Sequence, residues 1–320
     1  MKRLWLAAGL TLLIAAPAYS YGRQGHQAVG ETARLLLNDR ARAGVRKIMR
    51  GSDNLAGISV WPDDIKAAAR GKGPLVNDGE TWRFNEKFPD NGNWHFVNLP
   101  LGASAYSLTG RFSAPTDIIH KINQCIETLE ASGRRRTVLS KLQALRFLVH
   151  LVGDLHQPLH VATGYYRFDA AGQAQMITAP LQAQGRPHDA GGNLLSFGDN
   201  KEDNLHALWD FTLVERVTGS DDSKVLSSRL RNAVQPAAWS TPGDYHEWPA
   251  RWATDSLIEA RSVYQGITFG VGEFDTDKRL RKIPVQLPAS YLDDQGNRAL
   301  TQLSKAAFRL ADLLNHIQWQ

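Results

Sequence analysis

The chain has 320 residues, 42% of them hydrophobic and 22% charged, enough for one large or two ordinary domains. Its net charge of +5 mildly favours anionic ligands but excludes a tail that coats nucleic acid through charge alone. Cys125 is the only cysteine, which excludes an intrachain disulfide and leaves bound metal as the alternative staple.

Lys2 and Arg3 precede an apolar stretch over 4–16 and small residues around Ala18 and Ser20. That order predicts a secretory signal peptide, too short and wrongly flanked for a spanning helix. Cleavage after Ala18 and cleavage after Ser20 both fit. Either leaves a soluble, exported protein whose net charge drops from +5 to +3 with the loss of Lys2 and Arg3. Apolar residues at helical spacing predict a first helix over 26–49, and others over 58–70, 116–131, 137–157, 204–217, 223–234, 246–265 and 297–316. Thr116-Asp117 after Pro115, and Asn297 after Gly296, supply polar starts. Alternation with a period of two is nearly absent. Tyr165, Tyr166 and Phe168 before Gly172, with the turn signal Gly191-Gly192-Asn193, allow one small hairpin drawn from 165–177 and 193–197. Long loops are expected at 71–94, 99–115, 161–203 and 269–296, lengths usually tied to function or motion. No repeat, low-complexity tract or boundary divides the chain, so a mainly α single domain is expected.

The chemistry concentrates in His150-Leu-Val-Gly-Asp154-Leu-His-Gln-Pro-Leu-His160, and a second His-x-x-x-Asp pair recurs at His206 and Asp210. A four-residue helical step turns through about 400°, so each pair lies on one helix face. Nitrogen and carboxylate ligands projecting from neighbouring helices suit zinc, and two such pairs predict more than one ion. On a straight helix His160 would lie about 15 Å along from His150, and Pro158 disturbs the helix between them, so the two histidines serve different ions. His26 in Tyr-Gly-Arg-Gln-Gly-His, Asp63 in Trp-Pro-Asp-Asp-Ile-Lys and His95 in Asn-Trp-His-Phe-Val-Asn complete the candidate set. An apolar-flanked helix carrying three ionisable side chains needs partners for them, because unpaired buried charge costs several kcal/mol. Metal coordination is the simplest resolution, and the chain reads as a metallohydrolase. His156 faces away from His150 and reads as packing or support for the ligands. Asp64 reads as a solvated helix start or a brace for a ligand histidine. Arg134-Arg135-Arg136 reads as a solvated helix start or turn, His120, His188, His246 and His316 as surface residues, and Gly191-Gly192-Asn193 as a tight turn under the site.

These blocks, with Asp203-Asn204-Leu205-His206 and Trp209-Asp210, resemble the trinuclear-zinc, single-strand-specific nucleases of fungi, plants and bacteria, the type I nucleases with 3′-nucleotidase activity. That family shares the zinc-dependent phospholipase C fold. The resemblance runs from the mature N-terminus through Asp210, and 309–315 looks like the family's closing helix. It implies one helical nuclease domain over 21–320 after a signal peptide over 1–20. By the resemblance Asp63, His95, His150 and Asp154 hold the first of three zinc ions, and His160, His206 and Asp210 hold the second. The third is chelated by the α-amine and carbonyl oxygen of Tyr21, with His26 and with Asp154 bridging from the first. An amine at Tyr21 requires cleavage after Ser20. The family usually has Trp there, but only backbone atoms ligate, so the ring serves packing.

The resemblance further implies hydrolysis of single-stranded DNA and RNA, and of 3′-nucleotides, to 5′-phosphate products by a metal-activated hydroxide. Asp154 would act in the catalytic pair and Lys66 on the phosphate. Phe96 matches an aromatic that stacks on a base, and Asn98 stands where the family has a base-contacting aspartate, which leaves base preference open. A secreted or periplasmic monomer without a protein partner is implied. Two alternatives remain: a zinc phospholipase C, which alone would bring in a membrane partner, and an exported zinc-storage protein whose ligands leave no coordination position open.

Overall fold

The computed structural model describes residues 21–133, 136–219 and 222–320; the expected signal peptide and Arg134-Arg135 lie outside them. The fold is mainly α, as its sequence implied, and its helices begin where a short polar side chain satisfies the free N–H groups of a first turn. Asn38 accepts from Ala41 N and thereby cuts the long first helix in two, Gly22–Leu35 and Asp39–Ile48. Asp117 accepts from Ile119 N and His120 N to start Ile118–Glu130. A reciprocal Ser140–Gln143 cap starts Lys141–Leu155.

Lys141–Leu155 is the axis of the molecule. From residue 147 to 155 every side chain is buried, so this helix is apolar all round and lies inside the fold rather than on it. Gly22–Leu35, Trp61–Ala68, Ile118–Glu130, Trp248–Val263 and Tyr291–His316 surround it. The closing helix starts at Tyr291, earlier than expected, because Gly296 sits inside it and faces the Val217 side chain instead of ending a turn.

All four expected loops carry structure. The 71–94 segment holds the Asp78-capped helix Gly79–Lys87 and ends in a 3-10 turn, Asn91–His95. The hairpin pairs Tyr166–Phe168 with Ala174–Met176, but Leu195–Ser196 does not join it. It pairs in parallel with Leu280–Gln286, which also receives Thr268–Phe269 and Glu273–Phe274 as antiparallel neighbours. Pro284 hid that strand, since proline lacks a ladder donor and argues against a central strand. Leu99–Pro100 runs parallel to Ala162–Thr163, and Val97 N donates to His160 O at 2.8 Å, so the segment after His95 is laid directly along the one carrying His160. Among the described residues no helix is long and apolar enough to cross a membrane.

Candidate metal centre

His150 and Asp154 stand one turn apart on the buried central helix, both with no exposed surface. The His150 ring is oriented from behind, where Nδ1 donates to the Ser59 carbonyl at 2.7 Å, which turns Nε2 inward. Asp154 faces two ways: Oδ2 lies 2.9 Å from His95 Nδ1 and 3.2 Å from His150 Nε2, whereas Oδ1 lies 3.2 Å from His26 Nε2. His26 comes from the first helix, and its ring stacks on His150 at 3.9 Å between centroids. Asp63, in the first turn of Trp61–Ala68, has Oδ1 2.6 Å from Lys66 Nζ. Two triads result, His26–His150–Asp154 and Asp63–His95–His150, and in each the donor atoms lie within 4.8 Å of one another.

A third triad, His160–His206–Asp210, meets the same criterion. Pro158 ends the central helix and opens a 3-10 turn that carries His160 sideways, where its Nδ1 donates to the His95 carbonyl at 2.7 Å. His206 Nδ1 donates to the Gly191 carbonyl at 2.7 Å, leaving Nε2 3.2 Å from Asp210 Oδ2. The expected 204–217 helix is interrupted at Asp210 by a π turn, Leu208–Thr212, a distortion common at functional sites. Asp210 Oδ1 accepts from Tyr21 N and from Gln157 Nε2, each at 3.0 Å.

Burial resists the charge on Asp154, but His150 and His160 outweigh it and hold the carboxyl well below the usual range. Burial likewise opposes ionisation of Asp63, which Lys66, His150 and His95 bring down to about 2. Burial, then Lys66, lowers His95 to about 3, and burial also lowers His26 and His160. His150 and His206 are raised, because Asp154 and Asp210 respectively overcome the effect of burial. The test of fit is polar satisfaction: His160 Nε2, opposite the Nδ1 that donates to the His95 carbonyl, is buried without a hydrogen-bond partner among the described residues. Such an atom costs about 1–3 kcal/mol unless something satisfies it. Imidazole and carboxylate donors converging in this way could hold divalent metal, and the set is that of zinc sites.

A cleft of roughly 300 Å³ opens onto the third triad, lined by His160, His206, Lys66, Phe96 and Asn98. Phe96 is half-buried at this wall rather than packed in the core. Tyr21 is fully buried, its hydroxyl donating to the His156 carbonyl at 3.0 Å, while its nitrogen meets Asp210. His156 turns away as expected, onto Val152 O and Arg309. Asp64 neither braces a ligand nor lies in solvent; it is buried against Arg23. Of the histidines expected at the surface only His316 is exposed: His120 bonds Asp117, His246 bonds Glu130, and His188 is half-buried in the cleft wall against Tyr165.

Sequence reasoning missed Arg70, which lines the cleft one helical turn beyond Lys66, a spacing that was its only signal. It missed Gln157, which bonds Asp210, although it lies inside the motif. It also missed Asp189, buried beneath the Gly191-Gly192 turn, whose one clue was its place just before that turn.

The family model for S1/P1 Nuclease matches residues 21–318. Endonuclease 3 of Arabidopsis thaliana is 27% identical over 340 residues, covering 98% of this chain and 95% of that protein. Nuclease P1 of Penicillium citrinum is 24% identical over 321 residues, covering 93% and 97%. Nuclease S1 of Aspergillus oryzae is 23% identical over 254 residues, covering 76% and 73%.

Proposed function

Since the chain belongs to the S1/P1 nuclease family and is therefore a single-strand-specific nuclease, we propose that three zinc ions serve it and that it cleaves both DNA and RNA, and 3′-nucleotides, to 5′-phosphate products. The observation that carries the metal reading is Asp154, whose two oxygens face different histidines and so suit a carboxylate shared between two ions. Asp63, His95, His150 and Asp154 are proposed for one ion, His160, His206 and Asp210 for another, and Tyr21, His26 and Asp154 for the remaining one. When bound, such ions supply hydroxide at neutral pH and neutralise charge on the phosphoryl and leaving oxygens.

The chain's own residues do the rest. The carbonyls of Ser59, His95 and Gly191 fix three imidazoles with Nδ1 protonated and Nε2 free to ligate. Lys66 holds a positive charge beside Asp63 at the cleft wall, suited to a phosphate oxygen as a point charge without the planar fork of arginine. Phe96 offers a face for a base, which favours single strands because a duplex would have to unstack first. Asn98 both donates and accepts, so it fits more than one base edge.

Export is part of the proposal, with 1–20 a leader cleaved after Ser20 and 21–320 one nuclease domain acting as a monomer. Cleavage there would turn the Tyr21 peptide nitrogen into an amine with a free lone pair. Its complete burial beside Asp210 supports a role inside the centre. The family match separates this reading from the phospholipase alternative. The test uses purified protein starting at Tyr21 on single-stranded DNA, single-stranded RNA, duplex DNA and a phosphatidylcholine analogue, with chelator and then zinc. Cleavage of both single strands, lost with chelator and restored by zinc, is expected; turnover of lipid alone, or cleavage indifferent to chelator, would overturn the proposal.

A further inference from the structure

Asp189 is a fully buried carboxylate that accepts from five donors. Three are hydroxyls, of Thr163 at 2.7 Å, Tyr166 at 2.8 Å and Tyr264 at 3.1 Å. Two are backbone groups, Gly192 N at 2.9 Å and Gly164 N at 3.2 Å. Hydroxyl and amide dipoles therefore surround this charge. The Gly192 N–H belongs to the same peptide unit as the Gly191 carbonyl, and that carbonyl is the acceptor for His206 Nδ1. The Thr163 hydroxyl also accepts from Gly191 N at 2.9 Å, so both N–H groups of the glycine pair are tied to one buried cluster. Left-handed φ values of 62° and 80° at Gly191 and Gly192 make the turn possible, and a Cβ at Gly191 would lie 2.3 Å from the Leu159 carbonyl.

We propose that Asp189 is a positioning residue for metal binding, acting through the Gly191–Gly192 peptide on His206. A carboxylate pulling on the N–H end of a peptide enriches its carbonyl in negative charge, because hydrogen bonds in a chain polarise one another. That carbonyl then holds the Nδ1 proton of His206 more firmly, and Nε2 becomes a better donor to an ion at the His160–His206–Asp210 triad. Carboxylates commonly brace ligand histidines directly; here a peptide unit stands between them. The inference rests on the metal reading of that triad.

The test compares Asp189→Asn, Thr163→Val and Tyr166→Phe in the whole protein, measuring zinc affinity by competition titration, the visible spectrum after cobalt substitution, and thermal stability. Asp189→Asn is expected to weaken one zinc ion by about 10- to 100-fold and shift the cobalt bands of that ion, with the others unchanged. Thr163→Val, which keeps shape but frees the turn, gives the same loss at the lower end and serves if Asp189→Asn does not fold. Tyr166→Phe removes a donor to the other carboxylate oxygen, away from the one that meets the turn, and lowers stability without changing zinc affinity. All ions bound as in wild type after Asp189→Asn, or after Thr163→Val where that variant stands in, would overturn the inference even if stability fell. Wild-type protein that takes up no zinc would instead remove the metal reading itself, and the relay with it.

Discussion

Asp154 Oδ1 lies 3.2 Å from His26 Nε2, joining the first helix of the fold to its buried axis at a point where neither side chain touches water. The other oxygen of the same carboxylate faces His95 and His150. Asp154→Asn removes charge from both sides and is expected to cost two ions, whereas His206→Ala costs one. Metal analysis beside nuclease assays checks this, with Asp154→Asn the less active variant. Equal zinc content in wild type and Asp154→Asn would count against sharing.

Gly153 precedes Asp154, and a Cβ there would lie 2.9 Å from His26 Nδ1. In an ordinary helix interior alanine is about 1 kcal/mol better than glycine, so the residue is tolerated here for the space it leaves. Gly153→Ala is therefore expected to displace His26 and lose the ion proposed for it while the metal-free protein keeps its helix content. Circular dichroism and zinc titration together read this; full zinc occupancy in the variant would contradict it.

Phe96 forms part of the cleft wall without joining the core. Loss of a base-stacking face costs about 1–3 kcal/mol, so Phe96→Ala should raise KM for single-stranded DNA by about 5- to 150-fold with a smaller change in kcat. Phe96→Tyr should restore the wild-type value. An unchanged KM in the alanine variant would assign the ring to packing.

The pH dependence follows from His150 and His206, both raised above the ordinary histidine value of 6.5 by their carboxylate neighbours against the pull of burial. In metal-free protein the stability they add is complete below 6.5 and is lost as pH rises through the raised values. Zinc bound as proposed would need both neutral and would displace those protons, so the loaded protein would escape that loss. His26, His95 and His160 are lowered and stay neutral throughout this window. The difference in Tm between zinc-loaded and metal-free protein should therefore widen from pH 6.5 upward. A constant difference would mean that the two imidazoles do not exchange protons for metal.

Much of the candidate site was legible because its signals are local. His150 with Asp154, and His206 with Asp210, are one helical turn apart, and that geometry needs no knowledge of the fold. Pro158 marked the break that separates His160 from His150, and the structure shows a helix end there. Where the reading failed, the cause lay in contacts distant along the chain. Leu280–Gln286 became a central strand despite Pro284 because three other segments reach it. His188 and Asp189, set in a polar loop, were drawn inward by Tyr165 and by the hydroxyls of Thr163, Tyr166 and Tyr264. The break at Asn38 is a cap that a continuous apolar pattern concealed.

The most direct test is anomalous diffraction at the zinc edge from crystals of the protein beginning at Tyr21. Three peaks are predicted: two flanking Asp154, one on the His26 side and one on the Asp63–His95–His150 side, and a third among His160, His206 and Asp210. No peak beside Asp154, or a single peak there with His26 left unligated, would contradict the shared-carboxylate centre on which the account rests.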